Sequence, residues 1–182
     1  MTKKVLYAAL FFVLAFGLVW AGDKKATMDA GKMEAMKAEM MKCAVCKNMA
    51  TQLDAIGPMG MEVATLNDGM AMRHWVKSED AKKIAAFHTG SAACAKAGEA
   101  CLTMTDEQAK TDLCQWCQEV RGAMKAGAKM SYGTTKKGDL MVITSPEPTV
   151  QAQLTNLRQQ AEQWAASMEA PPATTTATTE KK

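Results

Sequence analysis

The chain of 182 residues sets 22 Lys and Arg against 19 Asp and Glu, a formal charge of +3, and only 5% of its residues are aromatic. With no clustered arginines, so neutral a chain lacks the electrostatic footprint of a nucleic-acid binder, and nucleic acid is excluded as a partner. The length suits one domain with a modest core, while six cysteines and sixteen methionines make the composition unusually rich in sulfur.

In chain order, Lys3 and Lys4 precede an uncharged run from Val5 to Gly22 that includes Val19-Trp20-Ala21. A basic start, an apolar centre and small residues at the outer positions of that end are the layout of an export signal, with cleavage after Ala21. An uncleaved anchor is the alternative, but the run falls short of the roughly twenty apolar residues that a spanning helix requires. Removal of residues 1–21 takes Lys3 and Lys4 with it, which leaves 20 basic against 19 acidic residues and no stable membrane span. The expected location is periplasmic or secreted, where disulfides form and persist.

Thr27 to about Ala55 is predicted as one helix, since Ala, Met, Lys, Glu and Gln dominate it, and Gly57-Pro58 ends it. Met61–Leu66 and Met70–Val76 flank Asn67-Asp68-Gly69, a hairpin signal. Ser78, Glu79 and Asp80 supply an N-cap and an acidic first turn for a helix reaching Gly90 or the Lys96-Ala97-Gly98 break. Thr105-Asp106-Glu107 caps a helix to about Lys125, which Gly127 stops. A second hairpin joins Met130–Tyr132 to Leu140–Thr144 through Lys136-Lys137-Gly138-Asp139. Ser145-Pro146-Glu147-Pro148 opens a last helix whose Val150, Leu154, Leu157, Ala161, Trp164 and Met168 form one apolar face.

The order predicts an α+β fold, a duplicated helix–β-hairpin–helix unit with half-repeats at about 27–97 and 105–169 and small antiparallel sheets covered by helices. A helical bundle with two loose hairpins is the alternative. Residues 22–169 would form the single cysteine-paired domain, and the Pro- and Thr-rich stretch 170–182 a disordered tail.

Two motifs carry the chemistry, Cys43-Ala-Val-Cys46 and Cys114-Gln-Trp-Cys117. On a helix each would put two sulfurs on one face, a turn apart, and two such helices in contact would gather four thiolates for zinc or Cu(I). His88, and less readily His74 on the apolar side of its strand, are further candidate ligands. Met33, Met36 and Met40 lead at helical spacing into Cys43, a thioether stripe that suits Cu(I) or serves as flexible core filler. The same four cysteines could instead form two inter-helix disulfides in a structural or partner-binding module. A thiol–disulfide redox role is a third reading, disfavoured because both motifs are expected inside helices and not at a helix N-terminus. Cys94 and Cys101, either side of Gly98, are the candidate local disulfide.

Cys43-Ala-Val-Cys46-Lys-Asn-Met49 resembles, over fewer than ten residues, the Cys-x-x-Cys-x-Met element of exported copper-handling proteins, including the nitrous-oxide-reductase accessory chaperones. The second motif lacks the methionine, so neither a family nor residue roles are carried over. Catalytic signatures are absent from the sequence, with no His-Glu-x-x-His, Gly-x-Ser-x-Gly or phosphate-binding glycine loop. The functional expectation is an exported, non-enzymatic protein whose partner is a soft metal ion, copper or zinc, or otherwise an unidentified protein.

Overall fold

The computed structural model describes residues 30–169. The predicted signal segment and the Pro/Thr-rich tail lie outside them. Helix α1 spans Ala30–Met41, and two single turns, α2 (Lys47–Ala50) and α3 (Leu53–Ile56), follow it. The hairpin β1 (Met59–Leu66) and β2 (Gly69–Val76) leads into the long helix α4 (Ala81–Cys101). Then come α5 (Asp106–Asp112), α6 (Gln115–Lys125), the hairpin β3 (Lys129–Thr135) and β4 (Gly138–Thr144), and α7 (Pro148–Glu169). The architecture is α+β, with one four-stranded antiparallel sheet in the order β1-β2-β4-β3.

Each hairpin follows a cysteine-bearing helical stretch and precedes a long helix, but the packing does not repeat. Helix α7 lies across β1, β2 and β4, whereas α4 packs chiefly on α2 and α3. The order of elements recurs, and a duplicated unit is not established by it.

Alternation sorts the sheet into two faces. Met61 on β1, Met70 and Met72 on β2, and Met141 and Ile143 on β4 point toward α7, where they meet Val150, Leu154, Leu157 and Ala161 in the main core. A second core joins Ile56, Phe87 and Val76 where α3 and α4 meet the end of the sheet. Ser145 is buried at the start of α7, its N–H donating to the Asp68 carbonyl and its hydroxyl accepting from the N–H of Glu147.

The two helices expected at the cysteine motifs are each broken at the motif. The first ends at Met41 and restarts at Lys47, and the second divides after Asp112 and restarts at Gln115. By contrast α4 runs unbroken through Gly90 and Gly98. Its cap is Asp80, whose carboxylate accepts from the N–H of Lys82, while Ser78 accepts from the N–H of Asp80. Thr105 and Gln108 form a reciprocal capping box on α5.

Two glycines fix the pairing of the inner strands. A Cβ on Gly69 would come within 2.0 Å of the Ile143 carbonyl oxygen, and one on Gly138 within 1.8 Å of the His74 carbonyl oxygen. Gly69 was read as a turn residue, but it begins β2 and is needed because β4 passes so close.

Candidate metal centre

Cys43 lies on the turn between α1 and α2, and Cys46 is the residue before α2. Cys114 is the N-cap of α6, and Cys117 sits in its first turn. The backbone N–H of Ala44 donates to the carbonyl of Asp112 at 2.8 Å, so one turn is strapped directly to the other. That strap sits at both breaks. The Asp112 carbonyl lies at the end of α5, where intrahelical donors run out, and Ala44 supplies one.

The four sulfurs all lie within 4.8 Å of one another. Cys46 Sγ stands 3.7 Å from Cys114 Sγ and 3.5 Å from Cys117 Sγ. A tetrahedron of sulfurs about 2.3 Å from a zinc ion has edges of about 3.8 Å, so these separations match a four-thiolate site. Cys43 and Cys117 are buried, and Cys46 and Cys114 are half-buried. Around them pack Cys101, Ala109, Leu113, Val45, Met104 and Trp116. Trp116 also packs on Trp164 of α7, with 4.9 Å between ring centres and a 50° tilt between the planes, which anchors the second motif to the last helix. No protein family model, curated protein or solved structure matches this chain. The site is therefore read from its own donors.

Those donors are coupled. Cys114 is pulled down to about 7, first by the adjacent Cys117 thiol, and the Cys117 backbone amide adds to the effect. Cys43 is also lowered, chiefly by Cys114, while Cys46 and Cys117 are pushed up as the proton-holding partners of Cys114 and their neighbours. The cluster gives up protons unevenly because like charges so close cannot all form without a cation among them. The position of Cys114 differs from the sequence reading, which set it two turns inside a helix. An N-terminal cysteine gains from the helix dipole.

Cys94 and Cys101 are not disulfide-bonded, and all six cysteines are free thiols. The expected local disulfide is thus corrected. Because α4 does not break at Gly98, the two residues are two turns apart, about 10 Å along the axis, well beyond the Cα separation that a disulfide spans. Cys94 donates to the Val45 carbonyl at 3.4 Å and Cys101 to the Gly98 carbonyl at 2.9 Å.

His88 is not part of the four-sulfur group. It lies on α4 next to Phe87, and its Nε2 is buried without a hydrogen-bond partner. His74 is on the helix-covered face as expected, but its Nδ1 bonds the buried Asp139 carboxylate at 2.9 Å, and Ser91 of α4 donates to the other oxygen at 2.5 Å. Met49, of the copper-like element, packs against the Ile56–Val76–Phe87 core and on Gly90, as filler between α2 and α4. Met36 and Met40 are half-buried on α1, and the side chain of Met33 lies outside the described set.

Sequence reasoning missed Arg121 and Asp139. Arg121 is four residues after Cys117 on the buried face of α6, and Asp139 alternates with Met141 and Ile143 on the buried face of β4. A charge standing where an apolar residue belongs was the available signal for both.

Proposed function

We propose that this is an exported, non-enzymatic protein in which Cys43, Cys46, Cys114 and Cys117 hold one soft metal ion, zinc in the first instance and Cu(I) in the second. The observation that carries the reading is the convergence of four sulfurs from two distant motifs at separations suited to tetrahedral thiolate coordination. Four protein ligands leave no open position for a substrate, which favours a structural or metal-holding role over catalysis. Export is supported by the Lys3-Lys4 start and the apolar run to Gly22. Among the described residues no helix is long and apolar enough to cross a membrane.

Elemental analysis beside thiol titration tests the centre. The expected result is about one metal per chain, with four thiols that react freely only after chelation. Cys114→Ser together with Cys117→Ser should abolish metal content; retention of the metal by Cys43 and Cys46 alone would sink the shared site. The export claim is checked by sequencing the N-terminus of protein recovered outside the cytoplasm, which should begin at Gly22. A chain that keeps Met1 or Thr2 would refute cleavage.

One observation favours a second reading. Cys114 is both the N-cap of α6 and acidified to about 7, the position and poise of a reactive thiol. In that case the purified chain would carry no metal and would reduce a test disulfide.

A further inference from the structure

The four-cysteine centre leaves Cys94 and Cys101 without a role, and no disulfide joins them. Seven residues apart on α4, they share one face of the helix, and both line a cavity of about 70 Å³. Met124 of α6, Met130 of β3 and Met141 of β4 line the same cavity, whose wall is completed in part by Cys117. The pocket opens partly to solvent beside the exposed Leu102 and Tyr132, and it has room for an ion or a few water molecules.

Its chemistry is one-sided. Neither a carboxylate nor an imidazole lines it, so a hard cation finds no charged oxygen and zinc finds no imidazole. The one charged side chain on the wall, Arg121, has its guanidinium engaged by Asp106 and by the carbonyls of Cys101 and Met104. Apart from the Tyr132 hydroxyl, the side-chain donors left on a wall otherwise made of apolar groups are thiols and thioethers from α4, α6, β3 and β4, the set that selects a soft monovalent ion.

We propose that this cavity is a second soft-metal site, taking one Cu(I) or Ag(I) ion on a thiolate from Cys94 or Cys101 and on the thioethers of Met124, Met130 and Met141. On binding, one S–H bond breaks, its proton leaves to solvent and a sulfur–metal bond forms. The charges of ion and thiolate then cancel, and no oxidation state changes. The site shares the Cys117 wall with the four-cysteine centre but takes none of that centre's four ligands.

Silver(I) is the suitable probe because it needs no reductant. It is titrated into the folded chain and followed by native mass spectrometry, which counts silver and zinc together. The wild type should accept one silver ion with its zinc retained. Two variants, Cys94→Ser with Cys101→Ser and the volume-conserving Met124→Leu with Met130→Leu, should each lose that ion or bind it at least about tenfold more weakly. Their zinc content should not change. Silver binding that is unaltered in either folded variant, or that begins only as zinc departs, overturns the proposal. Should the chain prove free of zinc, the four-cysteine reading fails separately, and the same comparison on that chain still decides this one by the loss or retention of one silver ion. Should the cysteine variant lose its circular dichroism, the methionine variant carries the test.

Discussion

Arg121 shows how one side chain secures the neighbourhood of the sulfurs. It is buried, its Nε donates to the Cys101 carbonyl at 2.9 Å, and its terminal nitrogens reach Asp106 at 2.8 Å and the Met104 carbonyl. A planar fork of donors can satisfy three acceptors in fixed directions, which a lysine ammonium cannot. The latch joins the end of α4 and the start of α5 to α6, the helix that bears Cys114 and Cys117. Lys125 and Arg121 together hold the Asp106 carboxyl down at about 2. Arg121→Ala should cost about 2–4 kcal/mol in urea unfolding, because two carbonyls lose a donor at a largely buried site. Arg121→Lys should recover only part of that loss; full recovery would show that charge alone matters. Sequence reasoning passed over the residue, and its role was not legible there. Its position four after Cys117 put a charge on a buried face, yet the acceptors are main-chain carbonyls some twenty residues away, and these carry no side-chain signature. The disulfide between Cys94 and Cys101 was read wrongly for a related reason. Gly98 weakens a helix by only about 1 kcal/mol, too little to break one that is packed along its length.

At the scale of elements the hairpins were legible and the helix breaks were not. Asn-Asp-Gly and Lys-Lys-Gly between alternating apolar residues mark β1–β2 and β3–β4 through local chemistry, and the strands extend only one to three residues beyond their predicted limits. The breaks at Cys43–Cys46 and Leu113–Cys114 fall where the Ala44–Asp112 bond joins segments far apart in the chain, and good helix formers on both sides conceal them. The glycines give a direct test of this division between local and tertiary control. Gly98 and Gly122 meet nothing within 4 Å of an added Cβ, so Gly98→Ala or Gly122→Ala should stabilise by about 0.5–1 kcal/mol in thermal or urea melts. Gly69→Ala should instead disrupt the β2–β4 pairing, since the new methyl would collide with backbone and not with a movable side chain. A Gly69→Ala chain with wild-type stability would show that the inner strands are not so closely apposed.

For the whole molecule the proposed metal would be a cross-link between two turns that the Ala44–Asp112 bond and a small buried cluster already bring together. The motif turns belong to a small sulfur-centred cluster distinct from the methionine-rich core between α7 and the sheet. Chelation should therefore lower the melting temperature and open the two regions unequally. Amides around residues 42–50 and 112–118 should lose protection from hydrogen exchange first, while β2 and β4 keep theirs. At free zinc a thousandfold above its dissociation constant, the stability lost would be about 4 kcal/mol. Uniform deprotection across the sheet would show instead that the centre and the core melt as one unit.

The strands of sulfur chemistry are also separated in time. Cys46 and Cys114 stand 68 residues apart along the chain, and synthesis runs from the N-terminus, so the Cys43–Cys46 pair waits while the Cys114–Cys117 pair is still being delivered. Two thiols alone offer an ion half a coordination sphere and leave that pair open to mispairing. A filled centre would accordingly report that synthesis has passed Cys117 and that the two turns have met, making it a mark of completed assembly.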